Sequence, residues 1–328
     1  MAVEPPRWPR LGAQPRVTIV TPSFNQGAFI EQTIASVLAQ DYPALEYLVM
    51  DGGSTDGTLD ILRRYGDRLT WVSAPDGGQA DAINQGWQRG SGDIIAWLNA
   101  DDLYHPGAVS AAVAQLRAHA AASGVYGDCD YIDEQGRTFA SHPSAPFDYM
   151  QLVRTGLTPV AQPATFLRRA AVVQAGWLDD RLHMVLDLDL WLRVGRLGPL
   201  VYVPQRWAAF REHSSSKTIA QQARAAPETV ALFERFFADP TLPPELRALQ
   251  RQATSSAQIF AGNALMMGGQ LSAARRYVLR GLPNAAPRLR IMALKVLLVC
   301  SLGRAGLAAY LWGRRSIRAV VHQATQQG

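Results

Sequence analysis

Along the first 124 residues the apolar positions switch repeatedly between two periods. Short β-branched or apolar runs occur at 16–21 (RVTIVT), 46–50, 69–73 and 94–98. Each is followed by a segment with apolar residues at helical spacing. These segments cover 29–40 (through Ile30, Ile34, Val37 and Leu38), 58–65, a stretch opened by Gly77-Gly78 that runs through Ala82, Ile83 and Trp87, and 107–119. Strands alternating with helices predict an α/β fold with a three-layer, mostly parallel sheet. In such a sheet each strand-to-helix loop lands on one edge, outside the carboxyl ends of the strands, where ligands bind.

Beyond Val125 the pattern loosens. It predicts a strand over 125–132 with a hairpin turn at Asp133–Gly136, a segment at 162–166, helices near 169–175 and 187–195, and strands near 200–203 and 207–211. This half completes the sheet and offers a second-substrate surface. From about Pro227 the chain is helical, and 261–282 resembles a single helical hairpin within a sequence that has no long internal repeat. The organisation predicted is a Pro-rich leader at 1–15, an α/β domain at 16–226 with halves 16–124 and 125–226, and a helical basic extension at 227–328. The most apolar stretch, 291–302, has Lys295 inside it and is too short for a transmembrane helix, which needs about 20 residues. It reads as a core helix or an interfacial one. Its flanks (Arg288, Arg290, Arg304, Arg314, Arg315, Arg318) favour a membrane-surface element on anionic lipid.

With 48% hydrophobic and 18% charged residues the chain can build a core and is not a disordered polymer. Cys129 and Cys300 are too far apart in sequence to suggest a disulfide framework or zinc site, so a reducing, cytoplasmic setting is expected. The N-terminus has no apolar run of signal-peptide type, so no secretory signal is expected. The net charge of +5 hides a division: from Leu246 onward there are twelve Lys/Arg and no Asp or Glu. The remainder is net acidic, with 20 basic and 27 acidic side chains. A basic tail suits an anionic surface at the inner face of the cytoplasmic membrane. No nucleic-acid-binding module is recognisable, so no nucleic acid partner is expected.

The predicted strand ends carry polar chemistry. The strand at 94–98 runs into Asn99-Ala100-Asp101-Asp102, and two hard oxygen ligands on a tight turn suit Mg²⁺ or Mn²⁺ beside a diphosphate. Asp is also a favoured turn and capping residue, so the pair alone is weak. Asp51 precedes Gly52-Gly53, where its carboxylate would accept hydrogen bonds from a base or ribose and the glycines would let backbone approach. Asp56 is adequately explained as the cap of the helix at Thr58. Gly77, Gly78 and Gln79 open a helix whose free amides favour anions, and Asp81 and Asn84 share one of its faces.

Six fragments in order resemble the family 2 glycosyltransferases of the GT-A fold, an inverting family of bacterial surface-polysaccharide enzymes. They are TPSFNQGAFIEQTIASVLAQDYP, MDGGSTDGT, DGGQADAINQG, GDIIAWLNADD, LDLDLWLRVG and FREHSSSKT, spanning about 16–217. The resemblance implies a donor pocket from Thr21 (or the backbone beside it), Pro22, Ser23, Asp51, Gly52, Gly78, Gln79, Asp81, Asn99 and Ala100. It assigns the metal-ligand carboxylate to Asp101, with His213 as the next candidate ligand, and sets Arg211 and Lys217 against the leaving diphosphate. Many members carry Asp where this chain has Asn99, a change that weakens metal affinity unless Asp102 compensates. The family's acidic pair, whose second member is the general base, matches Leu186-Asp187, so the base is Asp187 or, alternatively, Asp189. Both also suit helix capping. Trp191 and Arg193 brace that helix, and Trp191 is counted with Asp128 and Gln162 as an acceptor-side position. The loop at 162–166, with Arg168 and Arg169, resembles the acceptor side, and Asp130 follows the same strand as Asp128.

The activity implied is transfer of a sugar from a nucleotide-diphosphate sugar to an acceptor hydroxyl, with Mn²⁺ or Mg²⁺ as cofactor and a glycan or lipid-linked acceptor. Two other classes stand beside it. A sugar nucleotidyltransferase would show a Gly-rich, basic first loop where this chain has Ser23-Phe24-Asn25. A catalytically impaired donor-binding scaffold at the membrane would account for the altered acidic pair.

Overall fold

A computed structural model describes residues 8–213, 216–217 and 221–312. The chain divides into two compact units. The first comprises the residues up to Tyr149 together with Thr158–Glu212, and the second comprises Met150–Leu157 together with everything from His213 onward. The division therefore falls directly after the last strand, ahead of the compositional boundary near residue 226.

In the first unit the chain order is β1 (Val17–Ser23), α1 (Ile30–Leu38), β2 (Leu45–Asp51), α2 (Thr58–Tyr65), β3 (Thr70–Ser73), α3 (Gln79–Arg89), β4 (Ile94–Trp97), β5 (Leu103–Tyr104), α4 (Ala108–Ala118), β6 (Gly124–Ile132) and β7 (Thr138–Ser141). After α5 (Tyr149–Thr155), which lies mostly in the second unit, come β8 (Thr165–Arg168), α6 (Arg169–Ala175), α7 (Leu186–Leu197) and β9 (Leu200–Arg211). Nine strands form one sheet in the order β3-β2-β1-β4-β8-β6-β9-β5, with β7 on β6. The first four strands are mutually parallel, β8 runs antiparallel between β4 and β6, and β9 is parallel to β6.

The three layers follow from the period of two along each strand. All seven residues of β1 are buried. Val17 and Ile19 join one core with Ile30, Ile34 and Val37 of α1, Leu62 of α2, and Val109, Val113 and Leu116 of α4. Val20 points to the other face, where α3 lies so close that a Cβ on Gly86 would sit 2.6 Å from Val20 Cγ1. Trp97 shares that face, stacked on Trp191 of α7 at 6.0 Å and edge-on to Trp87 of α3 at 5.5 Å.

One expectation about the strands is corrected here. The strands near 200–203 and 207–211 are one strand, β9, because a bulge opposite Asp128 carries the exposed Pro204-Gln205-Arg206 without breaking the pairing. Gly127 makes the bulge possible, since a Cβ there would meet Gln205 O and the Trp207 ring at 2.6 Å. The Pro-rich leader is anchored from Trp8, which is buried and donates from Nε1 to Ala121 O at 3.2 Å.

Arg168 and Arg169 do not face an acceptor. Strand β8 is antiparallel to β4 with Arg168 opposite Ile94, so both arginines emerge at the sheet edge remote from the carboxyl ends of β1–β4. There each guanidinium closes a helix C-terminus, where carbonyls lack partners. Arg168 is buried and donates to Leu116 O and Ala122 O at 2.5 and 2.8 Å beyond α4. Arg169 donates to Trp87 O, Gly90 O and Gly92 O at 2.6, 2.9 and 2.5 Å at the end of α3.

The second unit contains α8 (Ala225–Ala238), α9 (Pro244–Arg247), α10 (Gln250–Met267), α11 (Leu271–Gly281) and α12 (Pro287–Ser301), and the chain is helical again over 303–312. The hairpin expected at 261–282 is α10 and α11, joined by Ser255 Oγ donating to Gly281 O. The apolar run at 291–302 lies in α12 and just beyond it. Among the described residues no helix is long and apolar enough to cross a membrane.

Replacing Arg168 with alanine should strand several buried carbonyls and cost about 2–5 kcal/mol. A lower urea midpoint at unchanged slope is the expected result, with the strand-end site intact. An unchanged midpoint would mean that water satisfies those carbonyls equally well.

Candidate active site

At the carboxyl edge, Ser23, Asp51 and Ser73 lie in register across β1, β2 and β3. Asp51 is buried and binds its own turn. Its Oδ2 accepts from Gly53 N, Ser54 N and Ser73 Oγ at 3.1, 2.9 and 2.7 Å, and its Oδ1 accepts from Ser54 Oγ at 2.5 Å. The neighbouring loop is laced to that turn. Asn25, held at φ +53°, donates its N–H to Ser54 Oγ at 2.7 Å and accepts from Thr55 N at 2.9 Å. Asp56 accepts from Thr58 N and from Gly27 N, both at 2.9 Å, which bears out its capping role and adds a cross-link. Burial alone would raise its carboxyl pKa, but the hydrogen bonds from Thr58 and Gly27 outweigh it and hold it below the ordinary range.

The expected contact through the Thr21 side chain changes on this edge. The Thr21 side chain points into the core and pairs with Tyr47 Oη at 3.1 Å, so it presents no hydroxyl to a ligand. Pro22 and Ser23 are buried too, and Ser23 Oγ has no hydrogen-bond partner among the described residues. Gly52 donates to Ser23 O at 2.8 Å and lies under the Asp76 carboxylate, which a Cβ would approach to 3.0 Å.

The turn ahead of α3 is held by local carboxylates. Gly78, at φ +109°, donates to Asp76 Oδ1 at 2.8 Å, and Gly77 donates to Asp81 Oδ2 at 2.8 Å. Two local carboxylates thus take the amides of the two glycines just ahead of the helix, and Asp81 also accepts from Gln85 Nε2 at 2.8 Å. Asn84 is paired both ways with Leu178 backbone. Asp76 is the residue the sequence reading passed over, although it opens the DGGQADAINQG fragment. Its pKa is raised, first by burial and then by Asp81 and Asp51, which marks three carboxylates gathered at one turn.

A chain of amides spans the centre of the edge. Gln79 Nε2 donates to Asn99 Oδ1 at 2.8 Å, Asn99 Nδ2 donates to Asp102 Oδ2 and Gln162 Oε1 at 3.0 and 3.1 Å, and Gln162 Nε2 donates to Trp97 O at 2.9 Å. Its direction is set at the Trp97 end, because a backbone carbonyl only accepts. Gln162, an acceptor-side expectation, therefore ties the 162–164 turn to the Asn99 loop. Ala100 belongs to the core.

Asp102 and Arg211 are structural. Asp102 is fully buried and accepts from Arg211 N at 3.0 Å and from Asn99. It cannot substitute for a carboxylate at position 99, since its oxygens face inward. Arg211, also fully buried, donates from Nε to Asp101 O at 2.8 Å, from one terminal nitrogen to Asp133 O and Glu134 O at 3.0 Å, and from the other to Gln32 Oε1 at 2.8 Å. It holds the loop and does not face a diphosphate. Asp101 stays partly exposed.

On α7 the two aspartates separate. Asp189 is buried and ion-paired with Arg193, which also donates to Ala175 O at 2.6 Å. Asp187 remains partly exposed in the first turn, with Oδ1 accepting from Leu188 N at 2.8 Å. Trp191 is fully buried against Trp97, so it braces α7 and meets no acceptor. Asp128 is partly exposed and accepts from Tyr202 Oη at 2.7 Å, while Asp130 is buried beside His105 and Ser141. His213 and Lys217 belong to the second unit; His213 O accepts from Ser216 N at 3.0 Å and Lys217 O from Gln221 N at 3.0 Å. Ser214, Ser215 and Thr218 of the same fragment lie outside the described residues.

No group of three His, Cys, Asp or Glu able to hold a metal occurs among the described residues. Asp101 alone fits a cation of the Mg²⁺ type, which takes one or two carboxylates and draws its other ligands from water and substrate phosphates.

The sequence profile of Glycosyl transferase family 2 matches residues 18–177. An uncharacterised glycosyltransferase of Mycobacterium tuberculosis is 37% identical over 183 residues, which is 55% of this chain and 68% of that protein. TuaG of Bacillus subtilis, a putative teichuronic acid biosynthesis glycosyltransferase, is 40% identical over 93 residues, or 27% of this chain and 37% of TuaG. The chain spans about a third (35% and 34%) of two Rickettsia glycosyltransferases it also matches. Among solved structures, Staphylococcus aureus TarS in complex with UDP-GlcNAc superposes with a TM-score of 0.63 at 14% identity, covering 95% of this chain and 92% of that one. A Pyrobaculum calidifontis mannosyltransferase in complex with GDP-Man and Mn²⁺ gives 0.58 at 19%, covering 98% and 89%. At these identities the structures establish the fold.

Burial holds the Asp102 carboxyl well above the ordinary range, and Asp101 adds to the effect. The folded state thus binds this proton more tightly than the unfolded chain does. The group's contribution to stability is full below the unfolded pKa, about 3.9, and is lost as pH rises through the folded value. Asn99→Asp would set a second carboxylate against Asp102 where an amide now donates at 3.0 Å. Its melting temperature should fall more steeply than wild type as pH rises above about 3.9, the unfolded carboxyl value; parallel slopes would refute the coupling.

Proposed function

The chain belongs to Glycosyl transferase family 2, and on that footing we propose that it transfers a sugar from a nucleotide-diphosphate sugar to an acceptor hydroxyl with inversion at the anomeric carbon. The observation that carries this reading is the placement of two partly exposed aspartates, Asp101 after β4 and Asp187 at the start of α7, each beside a buried aspartate, Asp102 and Asp189, that holds the loop or the helix in place.

Asp187 is the general base. It takes the proton as the acceptor oxygen bonds to the anomeric carbon, while the bond to the diphosphate breaks and its electron pair leaves with the phosphate. Such a base is worth about 10²- to 10⁴-fold in rate. Asp189 serves by fixing Arg193 and, through it, α7. Held by Asp101, Mn²⁺ or Mg²⁺ would offset charge on the leaving diphosphate. The turn built on Asp51, with Gly52 and the Asp76 carboxylate over it, shapes the wall for the nucleotide. Gln79, Asn99 and Gln162 set the distance between the donor loop and the 162–164 turn.

The acceptor we favour is a growing surface glycan or its lipid-linked precursor at the inner face of the cytoplasmic membrane. The teichuronic acid biosynthesis ascribed to TuaG and the acid-free basic tail support it.

Calorimetry across a panel of nucleotide sugars, with Mn²⁺ or with EDTA, tests the donor site, and release of free nucleoside diphosphate rather than pyrophosphate identifies the reaction. One donor should bind in a metal-dependent way, and Asp101→Asn should remove that dependence. Asp187→Asn should lower turnover at least about 100-fold with donor affinity nearly unchanged. Loss of donor affinity instead would move Asp187 into the nucleotide site, and no binding by any donor would end the proposal.

A further inference from the structure

Helix α12 is apolar on two sides. Leu289, Ala293, Val296 and Val299 are buried within the second unit, while Ile291, Leu294 and Leu298 are 72%, 60% and 61% exposed. Leu302 just beyond α12 is 60% exposed, and Trp312, in the helix over 303–312, is 72% exposed. The spacing of 291, 294, 298 and 302 places these side chains along one face of the helix and its continuation. The two helical segments are tied by Lys295, whose Nζ donates to Tyr310 Oη at 3.2 Å and lies 5.1 Å from its ring centre.

We infer that this outward face of α12, together with Trp312, is an in-plane docking surface for an anionic membrane. Three observations select that occupant. Charge is the first: with twelve Lys/Arg and no Asp or Glu from Leu246 onward, a second copy of the tail would bring like charges together, whereas an acidic lipid surface complements it. Arrangement is the second. Arg288 and Arg304 are exposed at the two ends of the apolar row, where long cationic side chains reach headgroups while the leucines enter the acyl boundary. Length is the third, since the fifteen-residue α12 is too short to span and suits an element lying in the interface. Trp312 adds the amphipathic ring favoured at that depth. The inference deepens the lipid-linked acceptor reading and rests on it for its purpose, since it would bring the enzyme to the surface where such an acceptor is anchored.

The test is flotation of the full chain with phosphatidylcholine vesicles, with and without phosphatidylglycerol, for wild type and for Leu294→Glu/Leu298→Glu. Wild type should float with the anionic vesicles and lose affinity as salt rises. Each leucine fully transferred is worth on the order of tenfold or more, so the double variant should bind at least about tenfold more weakly. Both positions are exposed, so its melting temperature should match wild type. Absence of wild-type binding, or equal binding by the variant, overturns the inference. So does a dimer, seen by light scattering, that the variant abolishes while vesicle binding persists, because the face would then seat a second copy. Donor calorimetry on the same samples separates the two claims. Flotation without donor binding ends the transferase reading and leaves the surface standing; donor binding without flotation does the reverse.

Discussion

The arrangement of the active edge depends on one buried guanidinium. Arg211 ends the last long strand of the first unit and reaches four separate places: the Asp101 carbonyl, the turn at Asp133-Glu134, Gln32 of α1, and the Phe29 ring 5.1 Å away. Its own backbone N–H holds the Asp102 carboxylate. Burying a guanidinium and a carboxylate this deeply is costly unless every donor and acceptor is matched. The matched set is what makes the Asn99–Asp102 loop a fixed platform. Because Asp102 is held inward, Asp101 is left as the carboxylate that faces outward.

The rest of the edge follows the same logic of local satisfaction. Asp51 closes its own turn, Asp56 ties two loops, and Asp76 and Asp81 hold the Gly77-Gly78 turn ahead of α3. Each carboxylate quenches backbone donors that the open strand ends would otherwise leave unpaired. A site built this way gains rigidity, and its polar residues act on a ligand mainly through the shape they impose. Asn99 fits the pattern: an amide both donates to the buried Asp102 and accepts from Gln79, which a carboxylate at that position cannot do.

The second unit solves a different problem. Its helices bury alanine, valine and leucine, yet α12 keeps a further row of large apolar residues outside. Such a row exposes apolar area with no stabilising return in water, and a sequence without a single acid in this region surrounds it with positive charge.

The α/β fold was legible because it is written in local period: β-branched runs of five or six residues, helical spacing between them, and glycine or aspartate at the joins. The hairpin turn at Asp133–Gly136 and the α10–α11 pair were legible for the same reason, as were the positions of Asp51, Asp101 and Asp187 at the ends of their elements. What each side chain touches was decided elsewhere. The Arg211–Asp102 bond joins residues 109 apart in sequence, and Arg168 reaches Leu116 O from 52 residues away. Four residues of β8 carry the chain from the active edge to the opposite one, so Gln162 meets Asn99 while Arg168 and Arg169 close helix ends far from it. Trp191 reads as an aromatic beside an acidic pair, but it lies under Trp97 because of how α7 is laid on the sheet. Sequence by itself determined most of the elements, though not β5, α5 or the unity of β9, and which polar residues reach the strand ends, since period and turn chemistry act between near neighbours. Only the tertiary structure decided which of those residues face outward, because that depends on strand order and direction, and no short-range pattern encodes them.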